Sequence, residues 1–157
     1  MTKPLVALVL GTALLLGGRN AAAQGEDARE ARRWTPATLF PPGALLAVVS
    51  GDPALPGETT AELSLPDGYR VPRHFHPVGE RLEVRQGTLL VGIGELVDAE
   101  RTDTLHAGDT AFHPEGGWHY YVARGPTVIA LTFEGPYTIT YVNAYEAPRR
   151  SLFPFGY

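Results

Sequence analysis

The sequence predicts an all-β domain, a sandwich or barrel of short strands, and three observations carry the prediction. The 157 residues include 18 Gly and 14 Pro, residues that interrupt regular elements rather than extend them. From about residue 40 to residue 143 the chain falls into short runs rich in Val, Ile, Thr, Tyr and Phe, separated by turn signals. No stretch in that region repeats apolar residues at the helical spacing.

The predicted strands, in order, are Leu45–Val49, Thr59–Leu65, Arg70–Phe75, Glu80–Gln86, Thr88–Gly94, Thr110–His113, Trp118–Ala123, Thr127–Phe133 and Tyr137–Val142. Between them lie "SGDPALPGE", "PDG", "HPVG", "QG", "AGD", "PEGG", "RGP" and "EGP", each with the Gly, Pro or Asp that a turn requires. Ahead of the strands, "WTPATLFPPG" (34–43) is too rich in proline for a long element. The preceding "QGEDAREARR" (24–33), with its alternating charge signs, reads as a mobile arm or one short helix.

The chain opens with one early cation, Lys3, an apolar run from Leu5 to Leu16, and Ala21 and Ala23 in the positions of an A-x-A cleavage site. That is the layout of a secretory signal peptide. An uncleaved anchor is the other reading, but the run is short and glycine-interrupted against the about 20 residues a span needs. The expected organisation is a signal peptide (1–23), an N-terminal arm (24–39), a barrel (40–143) and a C-terminal tail (144–157), with the mature protein periplasmic or secreted. Cleavage near Ala23 leaves 157 − 23 = 134 residues and a charge of (13 − 2) − 17 = −6, because Lys3 and Arg19 go with the leader. An acidic surface without a basic run argues against nucleic acid and anionic membranes as partners, and no stable membrane span is expected after cleavage.

Beyond the leader the chain holds no Cys, Met or Lys. A thiolate nucleophile, a Schiff-base lysine and sulfur-ligated metal sites are therefore excluded. The Ser residues lie in no G-x-S-x-G elbow. Any metal must be held by nitrogen and oxygen.

The stretch "PRHFHPVGERLEVRQG" (72–87) offers both. Residues two apart on a strand share a face, so His74 and His76 project together, away from Phe75. After the turn at Pro77–Gly79, the charged row Arg81, Glu83 and Arg85 must face water. That places Glu80, with Leu82, Val84 and Gln86, on the inward face. A buried carboxylate opposite two histidines is costly unless something compensates its charge, and a divalent cation does so with imidazole and carboxylate ligands: Fe, Mn, Zn, Ni or Cu. A further ligand has to come from another strand. "HAGDTAFHPEGGWHYYVA" (106–123) supplies His119, which shares its face with Tyr121 and Ala123.

These two stretches resemble the two sequence motifs of the cupin superfamily. Gly68, His74, His76, Glu80 and Gly87 stand in the register G-x5-H-x-H-x3-E-x6-G. Gly108, Pro114, Gly116 and His119 follow G-x5-P-x-G-x2-H-x3-N, with Ala123 in place of the final Asn. The resemblance implies a small antiparallel jelly-roll barrel of single-domain type around one divalent transition metal. His74, His76 and His119 would be its ligands, and Glu80 the fourth or a base beside it. The superfamily includes dioxygenases, isomerases, decarboxylases and lyases, so the resemblance implies a small-molecule substrate or ligand without naming the reaction. A metalloenzyme, dioxygenase-like or of the isomerase and lyase kind, is one reading; a non-catalytic periplasmic binding module is the other.

Around this constellation, Tyr121 is a candidate to line the pocket with its hydroxyl, and Arg73 to meet an anionic substrate. His113 is a candidate substrate contact, though a hydrogen-bonded or partly exposed ring is expected there. Phe112 and Phe133 read as core, with Phe112 a further candidate for the substrate wall. The aromatic tail and Pro-rich arm would suit a homodimer.

Overall fold

A computed structural model describes residues 32–94 and 102–148, and among these the chain is all strand and turn, with no helix. No helix among them is long and apolar enough to cross a membrane. Nine strands form one curled antiparallel sheet: β1 (Thr35–Pro36), β2 (Leu45–Ser50), β3 (Gly57–Leu65), β4 (Arg70–Phe75), β5 (Glu80–Ile93), β6 (Thr102–His106), β7 (Thr110–His113), β8 (His119–Gly135) and β9 (Thr140–Tyr141).

The long strands β5 and β8 are the spine. They pair from Glu80↔Phe133 to Ile93↔His119, and each changes its second neighbour along the way. The first part of β5 also pairs with β7 and the second with β6; the start of β8 also pairs with β4 and its end with β3. Strands β2 and β1 continue the sheet beyond β3, and β9 continues it beyond β4. This sharing of two bent strands closes the sheet around a core of Leu63, Leu65, Val71, Leu82, Leu89, Ile129 and Leu131, all buried. Each such side chain contributes about 1.5–3 kcal/mol by leaving water.

Two turn signals prove to be bends. "QG" and "RGP" lie inside β5 and β8, where the register shifts at Val84/Gln86 and Gln86/Thr88. Gly87 adopts φ 82°, and a Cβ there would meet the Pro126 carbonyl oxygen at 2.5 Å. Only glycine fits such a bulge, which bends the strand without ending it. The inserted residues also reverse the alternation. Glu80, Leu82 and Val84 face inward, Gln86 is exposed against expectation, and Leu89 and Val91 take over the interior. Two further strands had no clear signal: β1 lies inside the segment read as an arm, and β6 begins within the charged run "DAERTD" (98–103). The predicted strand Tyr137–Val142 shortens to β9. The expected signal peptide, the first half of the arm and the end of the tail lie outside the described residues.

Candidate metal centre

Five titratable side chains meet at strand ends on one side of the barrel. His74 is the second-last residue of β4, His76 follows that strand, Glu80 opens β5, His113 closes β7 and His119 opens β8. The register sets them opposite one another: His74 pairs with His119, and Glu80 with His113. Directly opposed residues on antiparallel strands bring their side chains into contact. A hydrogen bond from the Gly116 amide to the His76 carbonyl (2.9 Å) joins the two intervening turns. All five residues are at most 2% exposed.

Backbone carbonyls set the orientation of three of the rings. The Nδ1 atoms of His74, His76 and His119 lie 2.7, 2.9 and 2.8 Å from the carbonyl oxygens of Pro72, Thr138 and Gly117. A carbonyl only accepts, so each Nδ1 carries the hydrogen and each Nε2 keeps its lone pair. The Nε2 atoms of His74 and His119 have no hydrogen-bond partner among the described residues, and neither does that of His113. Leaving a buried polar atom so costs about 1–3 kcal/mol. Burial, reinforced by the neighbouring His119 and His76, holds His74 well below the ordinary histidine range. Burial first, then His113, pushes His119 down to about 4; burial and then His76 do the same to His113. These three rings are therefore neutral at pH 7, and those of His74 and His119 offer their Nε2 lone pairs to a cation.

Two phenols hold Glu80. Tyr121 Oη donates to Oε1 at 2.9 Å, and Tyr137 Oη donates to Oε2 in a short hydrogen bond. Burial, followed by the Glu80 charge, raises both tyrosines well above their ordinary value, so both remain donors. Tyr137 also lies flat against His76, with centroids 4.5 Å apart, and its oxygen is 3.1 Å from His76 Nε2. Its single proton cannot serve both partners, and the carboxylate is the stronger acceptor. His76 Nε2 is thus also left with an unshared pair, 3.7 Å from Glu80 Oε2.

A cation fits this donor set. The ligand atoms of His74, His76 and His119 lie within 4.8 Å of one another, and so do those of Glu80, His113 and His119. Convergent imidazole nitrogens with oriented Nδ1 hydrogens and a charged oxygen nearby are the ordinary surroundings of a divalent transition metal.

A structure described as an RmlC-like cupin from Shewanella frigidimarina superposes with a TM-score of 0.55 at 17% identity, covering 67% of this chain and 85% of that one. The chain has the cupin fold. The DMSP lyase DddQ from Ruegeria pomeroyi shares this fold too, with a TM-score of 0.60 at 18% identity over 80% of this chain and 70% of that one. No protein-family model matches the sequence. In sequence, germin-like protein 8-14 from Oryza sativa subsp. japonica is 38% identical over 84 residues, 51% of this chain and 39% of that protein. The chain thus spans about two fifths of the length of that relative.

The cupin barrel brings together the residues singled out from the motifs, His74, His76, Glu80 and His119, with Tyr121 beside them. Other expectations change. His113 is fully buried and faces the cluster, because β7 alternates and its last residue points inward. By the same alternation Phe112 faces outward; it is 64% exposed rather than in the core, its ring against Gly79. Phe133 is in the core as expected. Arg73, one position from His74 on β4, lines a groove of about 250 Å³ with Arg70, Tyr120 and Asn143 and is not part of the cluster. Tyr137 was not foreseen, since "EGPY" reads only as a turn opening a strand.

Proposed function

We propose that this chain is an exported metalloenzyme acting on a small molecule at a mononuclear centre, with His74, His76 and His119 as ligands and Glu80 as the fourth. The observation that carries the reading is the set of three histidines whose Nδ1 atoms are fastened to carbonyls, leaving Nε2 of His74 and His119 buried without partners and Nε2 of His76 beside only the Tyr137 hydroxyl. A divalent cation there supplies Lewis-acid or redox activation of substrate or dioxygen. The chain's own residues orient the imidazoles, exclude bulk water and hold the Glu80 carboxylate between two phenols. So held, Glu80 is the fourth ligand or a base beside the cation. The lyase on the same fold supports small-molecule chemistry. Side chains free of sulfur beyond the leader suit a centre that handles oxygen, so oxidative chemistry at iron or manganese is the first to test.

One observation favours a second reading, a non-catalytic binding module: both Glu80 oxygens are already engaged by tyrosines. Anaerobic reconstitution with Fe, Mn, Ni, Cu and Zn, then oxygen-uptake and product assays over diketones, catechols and phenols, separates the two. The enzyme reading expects one bound metal ion per chain and turnover with at least one metal. Stoichiometric binding without turnover leaves the binding module, and no binding removes both. Export is tested by N-terminal sequencing of protein from the periplasm, with a start near Gln24 expected and a start at Met1 against it.

A further inference from the structure

We propose that His113 takes hold of a small oxygen-donor molecule bound beside the metal ion, an inference that rests on the metal reading above. An imidazole donates its nitrogen lone pair in the plane of the ring, with the metal about 2.1 Å away. The rings of His113 and His119 are stacked, 8° from parallel, with centroids 4.1 Å apart. A cation in the plane of His119 therefore stands roughly one ring spacing outside the plane of His113. While the stack holds, His113 is not a co-ligand of that cation.

Its Nε2 nevertheless has a place in the site. It is buried without a hydrogen-bond partner among the described residues, and His113 offers a donor atom within 4.8 Å of those of Glu80 and His119. A molecule attached to the cation on this side passes over His113 Nε2, which then gains the hydrogen bond it lacks. The surroundings are imidazoles, one carboxylate and two phenols, so the occupant is polar. The fitting class is a small molecule with two oxygen functions, one placed on the metal and the second on His113, for which glycolate is the probe.

The experiment uses the full-length protein loaded with cobalt(II) and titrated with glycolate, followed by the cobalt absorption bands. H113F keeps a flat ring against His119 and removes the nitrogen. The expected result is cobalt affinity within about threefold of wild type, glycolate affinity lower by about tenfold or more, and substantial recovery in H113Q. Unchanged glycolate affinity in H113F overturns the proposal, as does an about tenfold loss of cobalt affinity with altered bands, which would make His113 a ligand. Failure of the wild type to bind cobalt removes the metal reading itself, an outcome distinct from either. Should H113F not fold, 15N spectra of the zinc-loaded wild type decide. Glycolate saturation is expected to shift the His113 Nε2 resonance, and a stationary resonance overturns the proposal.

Discussion

The two strand–turn–strand segments that supply the site, β4 to β5 and β7 to β8, hold their histidines differently. Along β4 and into the turn before β5, His74 and His76 meet edge to face, 76° apart, and each ring is tied by Nδ1 to a carbonyl. Across the β7–β8 turn, His113 and His119 lie parallel. Angled rings can share a point in space, whereas stacked rings cannot. The same backbone proximity thus produces converging donors on one side and, on the other, one donor with a companion displaced from it.

His119 belongs to both arrangements, opposite His74 in register and against His113 in the stack. His119→Ala should break the site most severely. Metal affinity is expected to fall by more than about 100-fold, beyond the about 10–100-fold typical of outer-shell partners, as measured by chelator competition. Tyr137→Phe tests the tied side more gently. Removing the hydroxyl frees Glu80 Oε2 and costs about 1–3 kcal/mol if that oxygen stays unpartnered, read from denaturant unfolding of the metal-free protein, with the fold retained.

Acid should act on both segments together. His74, His113 and His119 all bind protons less readily folded than unfolded. As pH falls below the unfolded value of about 6.5, the unfolded chain takes up protons that the folded one refuses. Stability that is fully present above that value is then lost toward about 4. The midpoint of thermal unfolding of metal-free protein should decline through this window, and a flat profile would contradict neutral buried rings. The smallest effect is expected on the solvent side of β7. Phe112→Ser, one residue from His113 but exposed, should change stability by within about 0.5 kcal/mol and leave metal binding unaltered by the same competition assay.

Much of the site was legible because its chemistry follows strand alternation. His74, His76 and Glu80 point inward as the pattern of charged and apolar neighbours required, and the spacing of Gly108, Pro114 and Gly116 located His119. Legibility failed where alternation was interrupted or local context was uninformative. The bulge at Gly87 turned Gln86 outward and made one bent strand of two expected ones. Nothing local to "TAFHPE" distinguishes an inward His113 and outward Phe112 from the reverse, because both orientations leave an aromatic ring on each face. Tyr137 reaches Glu80 across 57 residues of sequence, a pairing that only the closed barrel creates.

His76 is secured in three directions at once: its ring to the Thr138 carbonyl, its own carbonyl to the Gly116 amide, and its flat face to Tyr137. A residue tied both to the turn at Gly116 and to the segment Tyr137–Thr138 cannot swing aside singly. His113, by contrast, is held by its ring contacts with His119 and Tyr121, and its Nε2 has no hydrogen-bond partner among the described residues. One half of the site is thus anchored through the backbone, and the other through the faces of its rings.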